Sequence, residues 1–156
     1  MSGRLLEIRR EIWDRLVADL ARTGNGARES GAFLLGASDQ YRVVTDYVLY
    51  DEVTPPSQHV DYVLLMGPDM ARVWEECERR GLYVVADVHT HPGAPTQSRS
   101  DRDHPIICIP GHVALIIPRF AEGLVTIDSL GLHRFLGSGR WESWFGPEVT
   151  SRLHLI

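Results

Sequence analysis

Residues 82–91, LYVVADVHTH, run from a β-branched apolar stretch straight into two histidines one residue apart. Such a run reads as a strand. It follows GPDMARVWEECERRG (67–81), which opens with Pro68 and Asp69 in its first turn and closes on Gly81, the boundary signals of a helix. A helix that hands over to a strand ending in imidazoles predicts a sheet with helices packed around it.

Residues 4–22 carry apolar side chains at Leu5, Ile8, Ile12, Leu16 and Leu20, which predicts one amphipathic helix. A Gly-rich loop, TGNGARES (23–30), ends it, and GAFLLG (31–36) and YRVVTDYVLY (41–50) read as strands. DEVTPPSQ (51–58) reads as a loop because Pro55 and Pro56 exclude regular pairing, and HVDYVLLM (59–66) as a further strand. Beyond the histidines, HVALIIP (112–118), LVTIDSL (124–130) and LHRFLG (132–137) predict three short strands. The order gives one α+β domain over 1–156, with helices flanking a mixed or antiparallel sheet.

The chain has 156 residues, 44% hydrophobic and 24% charged, which suits one globular domain. No apolar run approaches the roughly 20 residues of a membrane span. The first residues, MSGRLLEIRREIWDRL, are charged too often for a secretory signal, so a cytoplasmic location is expected. A net charge of −5 argues against a nucleic-acid partner, and the Arg9–Arg10 and Arg79–Arg80 pairs sit among glutamates on helix faces. Cys77 and Cys108 form no CxxC pair and are expected to be buried thiols. Trp141 and Trp144 of RWESWF read as a hydrophobic plug at the C-terminal edge.

Alternation along a strand points His89 and His91 the same way, about 7 Å apart at their Cα atoms. Pro92, Gly93 and Pro95 then turn the chain back, so an aspartate about ten residues on can reach the same point. Two imidazoles, one carboxylate and an open position describe a catalytic zinc site; exposed histidines at a strand end are the plain alternative. No glutamate follows either histidine as an HExxH helix needs, nor stands between Glu78 and Glu122 as a cupin needs. The opening ADVHTH also suits amidohydrolase and phosphoesterase barrels, but those take on the order of 250 residues, and 65 follow His91 here.

HTHPGAPTQSRSD resembles the His-x-His-Pro…Ser-x-x-Asp signature of the JAB/MPN metalloproteases, the JAMM family, and ESGAFLLG (29–36) resembles its glutamate-and-strand part. HVALIIP and LHRFLGSGRW resemble the closing strands of the bacterial branch. The resemblance implies a cytidine-deaminase-like α+β fold, zinc held by His89, His91 and Asp101, Glu29 acting on the attacking water, and Ser98 in the Ser-x-x-Asp position. Nine residues separate His91 from Asp101, one fewer than the family's usual spacing. A one-residue deletion in the Gly/Pro loop aligns Ser98 with Asp101, and the competing register pairs Ser100 with Asp103. Glu52, in the Pro-rich loop, is the weaker candidate base; His104 could compete as a ligand but is expected to be exposed after its run of charges, and His59, His112 and His133 receive no role.

The activity implied is cleavage after the C-terminal glycine of ubiquitin or a ubiquitin-like or sulfur-carrier protein, beside activating and conjugating enzymes as partners. The resemblance leaves two competing readings, a non-catalytic scaffold domain and a small metallo-phosphoesterase.

Overall fold

The structure, a computed structural model, describes residues 3–54 and 67–156. Six strands form one mixed sheet. β2 (Gly31–Gly36) lies antiparallel to both β4 (Asp46–Leu49) and β5 (Tyr83–Thr90). β5 runs parallel to β6 (Val113–Ile117), and antiparallel pairing continues through β7 (Gly131–Gly137) and β8 (Arg140–Phe145), for the order β4-β2-β5-β6-β7-β8. β5 therefore lies inside the sheet.

Helices cover both faces because β2 is apolar on both. Ala32 and Leu34 join a cluster with Ile12, Leu16 and Leu20 of helix α1 (Arg10–Gly24). Phe33 and Leu35 point the other way, into a second cluster with Val73 and Cys77 of helix α3 (Gly67–Arg80). Asn25 ends α1 in the left-handed conformation, its N–H donating to the Ala21 carbonyl. Arg80 ties α3 to the sheet through Asp46, 2.8 Å away. Among the described residues no helix is long and apolar enough to cross a membrane.

Several expectations need correction. Residues 4–9 do not extend the first helix. Leu6–Ile8 form β1, parallel to β3 (Val43–Val44) and to β9 (Leu153–Leu155), in a second sheet of three strands. Leu6 and Ile8 are buried and Glu7 between them is not, a period of two whose partners lie far along the chain. Residues 51–53 are helical, closing α2 (Tyr50–Val53) rather than opening a loop; Pro55, Pro56, His59 and the strand expected at 59–66 lie outside the described residues. LVTIDSL holds a 3₁₀ turn at Ile127–Ser129 instead of a strand.

RWESWF, in turn, is a strand, β8, and its alternation separates the two indoles. Trp144 enters the α1-side core, whereas Trp141 packs at a tilt against Phe135 on the other face, ring centres 5.1 Å apart. Cys77 is buried, but Cys108 is exposed, its thiol donating to the Pro105 carbonyl in an irregular segment ahead of β6.

Candidate metal centre

The site stands at the C-terminal end of β5, on the α3 side of the sheet. Residues paired across a sheet share a face, so Asp87 lies with Phe33 and Ala114, and His89 with Gly31 and Ile116. The row through His89 reads Gly31, His89, Ile116, Gly131, Phe145. Its two glycines make room for what packs above. A Cβ at Gly31 would strike the Tyr50 ring, and one at Gly131 would strike the Pro95 carbonyl.

His91 lies just past the strand and is held by its backbone. Its N–H donates to the Ile117 carbonyl at 2.9 Å, and its carbonyl accepts from Phe120 N–H at 2.9 Å. The second bond depends on an unusual turn, in which Arg119, Phe120 and Ala121 all have positive φ, 54°, 54° and 61°. Left-handed conformations cost non-glycine residues about 1–3 kcal/mol each. The strain is spent on aiming N–H groups at the histidine loop, for Arg119 also donates to the Gly93 carbonyl at 3.1 Å.

Asp101 arrives on a short helix, α4 (Arg99–Asp103), and the Ser-x-x-Asp spacing has a local cause. Ser98 is the N-cap. Its Oγ accepts from Asp101 N–H at 3.1 Å, and the Asp101 carboxylate accepts from Ser98 N–H at 2.8 Å, a reciprocal capping box. The helix start thus locks the carboxylate that faces the histidines. Asp101 Oδ1 lies 3.4 Å from His89 Nε2 and Oδ2 lies 3.1 Å from His91 Nε2. Asp103 instead turns outward, its side chain 57% exposed, toward Arg99 at 3.5 Å.

Glu29 approaches from the segment that leads into β2. Its Oε1 is 3.3 Å from His91 Nε2, and Glu29, His89 and His91 each offer a donor atom within 4.8 Å of the others. Anchored neighbours hold it there. Ser30 N–H donates to Thr90 Oγ1 at 3.0 Å, and Arg28 pairs with Asp51 at 2.6 Å. Glu52, the other candidate, is exposed and accepts from Leu49 N–H at the start of α2.

These distances test whether a metal fits. Four ligands about 2.0–2.1 Å from a tetrahedral ion lie about 3.3–3.4 Å from one another. The two histidine Nε2 atoms are 3.0 Å apart, the Asp101 oxygens lie 3.4 Å from His89 and 3.1 Å from His91, and Glu29 stands 3.3 Å from His91. The donor set and its spacing fit a small divalent ion. Burial opposes the charge on Asp101, but hydrogen bonds from His89 and His91 overcome it and hold the carboxyl well below the usual carboxylate range. Burial likewise disfavours charge on His89, and the Asp101 carboxylate outweighs it, raising that imidazole.

Three further groups serve the site without a signal clear enough to find them beforehand. Asp87, on the same strand face as His89, accepts a 2.6 Å hydrogen bond from buried His112, and both line a small cavity with His89 and Asp101. His133, buried on β7, donates from Nε2 to the Pro95 carbonyl (3.1 Å) and accepts at Nδ1 from Ser143 Oγ (2.7 Å), pinning the Gly/Pro loop. Burial brings its pKa down to about 4, so it pins as neutral imidazole. Trp141 Nε1 donates to the Arg102 carbonyl at 3.1 Å, bracing α4 from β8. Alternation along ADVHTH could have placed Asp87 on the face of the histidines; nothing local marked the others. His104 is exposed.

The family described as prokaryotic homologs of the JAB domain matches residues 9–121. "Probable metalloprotease y4jG" of Sinorhizobium fredii is 25% identical over 144 residues, spanning 88% of this chain and 86% of that protein. Among solved structures, protein DSY2949 of Desulfitobacterium hafniense gives a TM-score of 0.64 at 13% identity over 90% of each chain. A Salinibacter ruber protein gives 0.62 at 19% identity, over 89% of this chain and 88% of its own. Those two likenesses concern the fold.

Proposed function

We propose, from the premise that this chain belongs to the prokaryotic branch of the JAB-domain family, that its metalloprotease-like site is a zinc (iso)peptidase site. Its substrate is the peptide or isopeptide bond after the C-terminal glycine of a ubiquitin-like or sulfur-carrier protein. One observation carries the metal part of the reading: two imidazole Nε2 atoms and the Asp101 carboxylate converge at 3.0 to 3.4 Å, close to the ligand–ligand spacing of a tetrahedral shell. His89, His91 and Asp101 are the ligands.

Zinc held there would supply a Lewis acid for the scissile carbonyl and bring the pKa of a water to about 7. Glu29, fixed beside His91, accepts the proton of the attacking water and passes it to the departing amine. Ser98 Oγ, already accepting from Asp101 N–H, keeps its own proton to donate to the developing oxyanion. The capping box thus ties the oxyanion donor to a ligand in one turn of backbone. His133 and Trp141 keep the loop and α4 from drifting, which matters because misplacement of about 1 Å can cost on the order of a hundredfold in rate.

The test is elemental analysis of the purified protein, together with cleavage of a ubiquitin-like protein fused through its C-terminal glycine. About one zinc per chain and cutting that stops on chelation and returns with zinc are expected. Protein that purifies without metal and cuts nothing would favour the scaffold reading.

A further inference from the structure

A groove of about 600 Å³ runs beside the metal centre, between the 92–97 loop and α4 on one side and the β7–β8 hairpin on the other. Its floor follows the alternation of β8, with Trp141, Ser143 and Phe145 on one face. Those five positions of strand span about 14 Å, the length of about four residues of extended peptide. Gln97 and Trp141 line this groove and also the small cavity that holds His89 and Asp101, so the groove opens onto the site.

Its charge is opposite to that of the chain. The protein carries −5 overall, yet the lining contains Arg102 and Arg140 and no carboxylate. Many arginines elsewhere face an acid, as Arg22, Arg28, Arg79, Arg80 and Arg134 do; among the described residues neither Arg102 nor Arg140 has one within 4 Å. Both stand at the Trp141 end. Arg102 is held there by its own carbonyl, which accepts from the indole, and Arg140 opens β8 beside the Gly137–Gly139 turn, where the ladder shifts register and strict alternation no longer places the side chain. The one acid between the two tryptophans, Glu142, points away and is taken by Arg134 at 2.8 Å.

We propose that this groove seats an extended, acidic segment of the substrate on one flank of the scissile bond, with Arg102 and Arg140 reading its carboxylates. Trp141 and Phe145 supply apolar contact for alternate side chains, and the guanidiniums supply the sign selection. The segment belongs to a protein chain, because the groove floor presents Trp141 and Phe145 at the two-residue side-chain period of an extended peptide, which a polyphosphate has no apolar groups to meet. The inference deepens the peptidase reading and rests on it.

The test separates the two. Metal-free protein is titrated with fluorescein-labelled octapeptides, one carrying three glutamates, one three lysines and one neutral, and anisotropy is followed at low and at 0.5 M salt. The acidic peptide should bind tightest and lose its advantage in salt. Exposed ion pairs contribute roughly two- to fivefold each, so Arg102→Glu with Arg140→Glu should weaken it about tenfold and shift preference to the lysine peptide. With zinc-loaded protein and fusions bearing glutamates on either flank of the glycine, Arg140→Glu should raise KM and leave kcat unchanged. Equal binding of the three peptides, or tighter binding of a single-stranded oligonucleotide than of the acidic peptide, overturns the groove assignment while cleavage stands. Charge-selective binding without cleavage of any fusion would overturn the peptidase reading alone.

Discussion

The two faces of the six-stranded sheet are built from the same strands to opposite ends. Toward α1, Ala32, Leu34, Ala86, Val88, Leu115 and Ile117 form one apolar cluster with the helix. Toward α3 the next residues along those strands include Asp87 and His89, and His133 of β7 shares the row of Asp87, while the apolar cluster retreats toward Phe33, Leu35 and Tyr50. One face stores stability. The other gives some of it up, keeping buried polar groups such as Asp87, His112 and His133 so that donor atoms stay aimed. The Tyr50 hydroxyl and His89 Nδ1 show the cost, since both are buried and neither has a hydrogen-bond partner among the described residues. A strand interior to the sheet can carry both roles because its side chains alternate, so a ligand on one side is fixed by packing on the other.

That division can be broken by substitution, and the largest effect should come from the ligands. His91→Ala or Asp101→Asn should abolish stoichiometric zinc and all measurable hydrolysis, because two protein donors cannot hold the ion against water; elemental analysis and activity on the same samples check this. Glu29→Gln should keep the zinc and lose about 10²–10⁴-fold in rate, since glutamine cannot take the water's proton. Loss of zinc in that variant would make Glu29 a ligand.

On the opposite face, Leu34→Ala should cost about 2–5 kcal/mol in denaturant unfolding while the folded protein binds zinc as before. A change in zinc affinity there would show that the two faces are coupled. Asp87→Asn keeps a partner for His112 but removes a charge that His89 feels, and zinc affinity should fall about tenfold, the low end of the roughly 10–100-fold typical of groups behind a ligand. The smallest effect is expected at the helix surface, where Asp103→Asn should leave zinc and rate within about twofold, as its exposed pair with Arg99 contributes little.

What the chain determines by itself is whatever needs only near neighbours. The 3.6-residue stripe of α1 from Ile12 to Leu20, the boundary residues of α3, the alternation of β5 and the facing of Asp87 with His89 all follow from local periodicity. So does the Ser98–Asp101 pair, which is a helix cap before it is anything else. The tertiary structure decided the rest, because distant partners chose among local options of similar energy. Leu5 and Ile8 fit the helical stripe as well as a strand until Val43–Val44 and Leu153–Leu155 offer backbone on both sides. LVTIDSL has a strand's composition, but its segment turns in a 3₁₀ bend while RWESWF takes the edge beside β7. His133 gains a role only when the sheet brings Pro95 over Gly131, and His112 only when parallel pairing sets β6 beside β5. A carboxylate, two imidazoles and the loop that joins them are written in the sequence; their separations of 3.0 to 3.4 Å are a property of the folded sheet, which alone brings Glu29, just ahead of β2, to the same point.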